Sequence, residues 1–138
     1  MEELNRDAKT ENLDAVLDFV AKKLENVDCT IEERHQIAIA VEEIFVNIAY
    51  YAYRPETGGV TVRVVAGGGG ELVIEFEDSG KPYNPLEAKT PDITLGVDER
   101  EVGGLGVFMV KKLMDSVAYR RERDKNILTI RKKLSYYE

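Results

Sequence analysis

Cysteine is almost absent from this chain. Cys29 stands alone, which excludes an internal disulfide framework and leaves a zinc site without thiolate partners. Histidine is equally scarce: His35 is the only one, and solvent exposure on a helix is expected of it rather than a metal or triad role. No run approaches the roughly 20 consecutive apolar residues of a membrane-spanning helix. The opening residues Met-Glu-Glu-Leu-Asn lack the basic and apolar regions of a signal peptide. A soluble, reducing, cytoplasmic setting with no membrane partner is therefore expected. Positive charge is in deficit as well. The 19 Lys and Arg against 26 Asp and Glu leave a net charge of −7, which argues against a direct nucleic-acid partner, because such binding draws its affinity from neutralising phosphates.

What is present suits one globular unit. The chain has 138 residues, 43% of them hydrophobic and 33% charged, and shows no internal repeat or low-complexity linker, so residues 1–138 are expected to form a single domain. Near that size a domain buries roughly two-thirds of the surface of its unfolded chain. The cations concentrate between Lys111 and Lys133. A solvated helix face with a charged hairpin explains them, and so does a docking face for an acidic protein partner; both readings stay open.

Hydrophobic spacing then divides the chain. Leu13, Val16, Leu17, Val20 and Leu24 make one apolar stripe of a helix over 11–25. Thr30 and Glu33 form a capping box for a second helix, which carries Ile37, Val41, Ile44, Phe45 and Ile48 and runs to about Tyr53, before Pro55. The period changes to two at Val60, Val62 and Val64, and again at Leu72, Ile74 and Phe76, with Gly67 to Gly70 between them as a hairpin turn. Residues 81–102 have no clear period and read as a lid. A third helix follows, with Leu105, Phe108, Met109 and Leu113 inward, and then a second hairpin of 117–121 and 127–133 around Asp124-Lys125-Asn126. This order predicts an α+β fold, a mixed, mostly antiparallel sheet with helices on one face. The regular βαβ alternation of a doubly wound nucleotide fold is missing.

Three segments could carry chemistry, each with a plainer explanation beside it. Glu43 and Asn47 lie one helical turn apart on one face. An amide oxygen suits Mg²⁺ and a carboxylate one turn away could accept a proton; an ordinary exposed pair is the alternative. Asp78 ends a strand just before Gly80, where a carboxylate could accept an adenine amine proton; Asp-Ser-Gly is also a common turn. Gly103, Gly104 and Gly106 open a helix whose free amides suit phosphate, or they serve a hinge or close packing. Neither a Walker loop nor a dinucleotide fingerprint is present. Tyr50, Tyr51 and Tyr53 are expected to pack rather than to stack a base.

Taken in chain order, Glu-x-x-x-Asn on a helix, Asp-x-Gly after a strand, a lid and Gly-x-Gly at a helix start resemble the GHKL ATPase superfamily. That group includes gyrase, heat-shock chaperone ATPases, histidine kinases and mismatch-repair ATPases. The short length, with Gly-Gly-Leu-Gly-Val-Phe-Met-Val-Lys-Lys-Leu-Met-Asp at 103–115 and Asn-Ile-Leu-Thr-Ile-Arg-Lys at 126–132, is most similar to the bacterial anti-sigma factor serine/threonine kinases. The resemblance implies a two-layer α/β sandwich of the Bergerat type that binds ATP and Mg²⁺. It implies Glu43 as general base, Asn47 as the Mg²⁺ ligand, Asp78 as the adenine contact with Gly80 beside the base, Gly104 and Gly106 along the phosphates, and Thr129 supporting the adenine end. Lys89 or Arg100 in the lid would meet the γ-phosphate. The implied activity is phosphorylation of a STAS-domain anti-sigma factor antagonist and sequestration of an RNA polymerase sigma factor, by a homodimer. A nucleotide-gated binding module without phosphoryl transfer is the alternative. Two positions depart from the pattern: Pro82 stands where many members have a second glycine, and Tyr51 where related kinases often have histidine.

Overall fold

The computed structural model describes residues 2–53, 56–66, 70–87 and 104–134. Its order is β1 (Glu2–Asp7), α1 (Leu13–Leu24), α2 (Ile31–Tyr51), β2 (Gly59–Ala66), β3 (Glu71–Asp78), α3 (Gly104–Leu113), β4 (Ser116–Glu122) and β5 (Lys125–Lys133). Short 3-10 turns at Thr10–Asn12 and Pro85–Glu87 complete it. The strands form one sheet in the order β1-β2-β3-β5-β4. Every pairing among them is antiparallel, as the mostly antiparallel sheet read from the sequence requires.

The two apolar periods build the core as expected. Ile37, Val41, Ile44, Phe45 and Ile48 of α2 are all buried, as are Val60, Val62 and Val64 of β2 and Leu72, Ile74 and Phe76 of β3. Val16, Val20 and Leu24 of α1 join them, with Leu13 and Leu17 partly buried at the margin. These residues meet between the helices and one face of the sheet, giving two layers. At the start of α2 the capping box is complete: Thr30 Oγ1 accepts from the Glu33 amide at 3.0 Å, and Glu33 Oε1 accepts from the Thr30 amide at 2.9 Å.

Four local readings need correction. The strand β1 went unpredicted; it pairs along β2 from Glu2 opposite Val64 to Asp7 opposite Gly59. The helix α1 begins at Leu13, because Thr10–Asn12 make a tighter turn first. In α3, Val107 and Val110 face the core, with Met114 just past its end, while Met109 is 38% exposed; the side chain of Leu105 lies outside the described residues. Finally, the second hairpin turns one residue earlier than the expected Asp124-Lys125-Asn126, at Arg123 and Asp124. Both have positive φ, 52° and 63°, the signature of a two-residue primed turn between Glu122 and Lys125. That shift decides which face each β5 residue occupies.

Candidate functional site

The last turns of α2, the end of β3 and the start of β5 converge on one pocket. Ile44, Asn47, Ile48, Tyr51 and Ala52 line it from the α2 side, and Asp78 from β3. Tyr83 and Pro85 contribute from the segment after β3, and Tyr119, Asn126 and Leu128 from the second hairpin. The empty volume is about 360 Å³ including its open mouth. Its lining is mainly apolar, with a few polar groups converging. Asn47 and Asp78, 31 residues apart in sequence, are therefore brought to the same cavity.

Asp78 is 5% exposed. Burial pushes its carboxyl above the ordinary aspartate range, while hydrogen bonds from Asn126 and Gly80 and the nearby Arg121 charge oppose that rise. Oδ1 accepts from the Gly80 amide and from Asn126 Nδ2, both at 2.9 Å. The turn behind it is stitched to the end of α2. The Lys81 amide donates to Ala52 O at 2.8 Å, and the Ser79 amide donates at 2.7 Å to the Tyr53 hydroxyl, which itself donates to Gly59 O. Gly80 is glycine for a reason the sequence did not reveal: a Cβ there would lie 2.1 Å from Ala52 O. Close approach to the helix end requires it.

Asn47 is also 5% exposed, and among the described residues its buried Oδ1 has no hydrogen-bond partner. Buried polar atoms are ordinarily satisfied, so an orphaned amide oxygen at a pocket wall fits the needs of a hard cation that takes oxygen ligands. No cluster of three His, Cys, Asp or Glu suited to a metal occurs among the described residues. A cation here would share its coordination with a ligand and water. Glu43 lies one turn back on α2, half-buried, and does not line the pocket with Asn47. Burial, and then the charge of Glu42, raise its carboxyl above the ordinary glutamate range.

The other expected residues divide. Gly104 opens α3 and Gly106 lies in its first turn; α3 packs on α2 and on the turn Pro85–Glu87, whose Pro85 lines the pocket. Gly103, Lys89, Arg100 and most of the lid at 81–102 lie outside the described residues. Thr129 is corrected: it pairs with Glu75 and Ala118 on the sheet face opposite Asp78, Asn126 and Leu128, and it does not line the pocket. Asn126, three residues earlier on β5, lines the pocket instead. His35 is exposed on α2, as expected. Tyr51 stacks on Tyr83, with ring centroids 5.4 Å apart at 22°, so its packing role is played at the pocket rather than in the core.

Comparison with known proteins agrees with this architecture. The histidine kinase-like ATPase domain family matches residues 7–132. An anti-sigma F factor of Clostridium acetobutylicum is 30% identical over 133 residues, covering 91% of this chain and 87% of that protein. The serine/threonine-protein kinase BtrW of Bordetella bronchiseptica is 24% identical over 97 residues, 70% of this chain and 68% of that one. Among solved structures, the RsbU and RsbW domains of Rv1364c from Mycobacterium tuberculosis share the fold with a TM-score of 0.63 at 14% identity. This chain aligns over 99% of its own length there and spans 34% of that longer chain. The histidine kinase domain of the Erythrobacter litoralis EL346 blue-light activated kinase gives a TM-score of 0.58 at 21% identity, over 88% of this chain and 61% of that one. The chain belongs to the histidine kinase-like ATPase domain family, of the GHKL type, and has anti-sigma F factors among its relatives.

Proposed function

We propose that this chain binds ATP with Mg²⁺ and acts as a serine/threonine protein kinase of the anti-sigma type. Its protein substrate would be a STAS-domain anti-sigma factor antagonist, with a sigma factor as its alternative partner and a homodimer as its working form. The observation that carries the reading is the pairing of an amide oxygen on Asn47, without a partner among the described residues, with a buried carboxylate on Asp78 in one mainly apolar pocket. Relatives named anti-sigma F factor and serine/threonine-protein kinase support the choice among ATPase functions.

In this reading Asp78 accepts the exocyclic amine of adenine, the apolar walls from Ile44, Ile48 and Leu128 take the ring, and Asn47 holds Mg²⁺. The metal, when bound, screens phosphate charge during transfer. Glu43 takes the proton of the attacking hydroxyl, and Gly104 and Gly106 give the phosphates close access to the start of α3. Phosphoryl transfer depends mainly on positioning and charge, so one base and one metal ligand suffice from this side of the site. Lid cations Lys89 or Arg100 would complete it.

Thermal unfolding with ATP, with and without Mg²⁺, tests binding. A ligand specific for the folded state adds about 2.7 kcal/mol at a hundredfold excess over its dissociation constant. Stabilisation that requires Mg²⁺ and disappears in Asp78→Asn is expected; no response up to millimolar ATP would sink the reading. Transfer is tested separately, by incubation with a STAS-domain substrate and ATP. Because Glu43 does not line the pocket beside Asn47, a nucleotide-gated binding module remains the second reading. Loss of phosphate transfer in Glu43→Gln with ATP binding retained favours the kinase; a wild type that binds ATP and transfers nothing favours the module.

A further inference from the structure

Asn126 sits where three parts of the chain meet, and it is only 6% exposed. Its Nδ2 donates to Asp78 Oδ1 at 2.9 Å and to Lys81 O at 2.8 Å, so both amide protons are used. Its Oδ1 accepts from the Tyr119 hydroxyl at 2.5 Å and from Arg121 Nη1 at 3.2 Å, with the Tyr83 amide at the limit of 3.5 Å. This arrangement fixes the orientation of the side chain. A guanidinium only donates, so a flipped amide would set Nδ2 against the Arg121 donor and Oδ1 against a carboxylate. Arg121 is itself anchored by a 2.8 Å bond to Gly80 O.

The consequence falls on Asp78. Its Oδ1 is occupied by Asn126 and by the Gly80 amide, and among the described residues nothing donates to Oδ2. We propose that Asn126 is a positioning residue that sets the base preference of the pocket, by holding Asp78 Oδ1 so that Oδ2 is left as an acceptor for a 6-amino purine. A 6-oxo purine would offer an acceptor to that acceptor and be rejected. Sites built to hydrogen-bond a particular substrate group discriminate strongly against analogues that lack it. This inference rests on the nucleotide reading of the pocket and adds its specificity.

The test is titration calorimetry of the whole chain with ATP and with ITP, in Mg²⁺, for wild type and for Asn126→Asp. The variant is isosteric and still accepts from Tyr119 and Arg121, but it has no amide to give Asp78. Two adjacent carboxyls share a proton, and the Arg121 guanidinium favours the charge at position 126, so the proton goes to Asp78, whose neutral carboxyl accepts more weakly and can turn its hydroxyl toward the base. Wild type is expected to prefer ATP, and the ATP-to-ITP affinity ratio should fall at least tenfold in the variant. A purely structural role would weaken both nucleotides in parallel; an unchanged ratio overturns the proposal and leaves ATP binding intact. Wild type binding neither nucleotide overturns the nucleotide reading and takes this inference with it. Should Asn126→Asp fail to fold, the unmutated protein supplies a second measurement. The Asn126 side-chain amide protons should exchange slowly by NMR and shift on adding ATP but not ITP; exchange as fast as a free amide overturns the proposal.

Discussion

Gly80 shows how closely the site depends on individual residues. The Cβ of an alanine would meet Ala52 O at 2.1 Å and Ala52 C at 2.5 Å. Both are backbone atoms, so no side-chain rotation relieves the clash. Gly80→Ala should lose about 1–3 kcal/mol, the usual range for overpacking, read as a lower urea midpoint. It should also weaken ATP binding, because the same turn carries the amide that holds Asp78. Glu43 makes a prediction of the opposite sign. Burial and Glu42 raise its folded carboxyl pKa above the ordinary 4.5, so its contribution to stability is fullest below that value and is lost as pH rises through the folded pKa. At pH 7 the charged form is a cost to folding. Glu43→Gln should therefore be more stable than wild type at pH 7, with the gain shrinking toward pH 4; an equal gain at both pH values would refute the burial argument. That Asp78 and Asn47 belong to one candidate site was readable from their types and neighbours, and the two line the same pocket. Asn126 was not readable, because Ile127, Leu128, Thr129 and Ile130 are all buried. A strand apolar on both faces gives no alternation to show which residues face the helices, and a one-residue shift exchanges the faces.

The second hairpin sets that register through its turn. Arg123 and Asp124 both adopt positive φ, a conformation that costs a non-glycine residue roughly 1–2 kcal/mol. Replacing Asp124 with glycine should raise the unfolding free energy by about 1 kcal/mol without changing the pairing of Asn126 with Asp78. Asparagine at 123 should help further; an amide-exchange pattern altered along β5 would show instead that the turn had moved. At the other end of β5, Lys132 Nζ donates to Leu113 O at 2.7 Å, placing a cation on the last carbonyls of α3. Such charges are favourable at a helix C-terminus. Lys132→Met keeps the buried stem and removes the bond, and should cost about 1–2 kcal/mol, with α3 amides losing protection first. Among the strands, β1 was invisible in sequence because Glu-Glu-Leu-Asn-Arg-Asp has a single apolar residue. Its pairing is main-chain hydrogen bonding to β2 supported by the ion pairs Lys23–Glu2 and Arg63–Glu3. Those interactions join residues tens of positions apart, which local pattern cannot report.

Across the whole molecule the two sheet faces use different physics. One is closed by helices over an apolar core, and its parts in α1, α2, β2 and β3 were readable from apolar spacing alone. The other carries a polar network centred on Arg63, which pairs with Glu3 at 2.8 Å and with Glu75 and Glu77 at 3.4 Å. Lys125 reaches Glu77 from β5 at 3.4 Å, and Arg120 reaches Glu75 from β4. Strands β1, β2, β3, β4 and β5 are thus linked through charges that no single segment reveals. Burial opposes ionisation of Glu77, but the hydrogen bond and charge of Arg63, followed by Lys125, outweigh it and hold the carboxyl below its ordinary 4.5. A carboxylate with a lowered folded pKa contributes stability that is present above the unfolded value and is lost as pH falls through the folded one. Wild type should therefore weaken on acidification below 4.5 partly through this group. Arg63→Met keeps an aliphatic stem over the sheet and removes the main cause of the lowering. Its urea midpoint should be lower than wild type at pH 7, and the gap should narrow as pH falls through the folded pKa of Glu77. Networks of this kind are worth more than isolated surface pairs, which contribute about 0–1 kcal/mol, so the gap at pH 7 should exceed that of Arg131→Met. The latter removes only the exposed Arg131–Glu71 pair. If the two variants lose the same stability at pH 7 and both gaps ignore pH, the outer face is a solvated surface and the strands are held by the helix side alone.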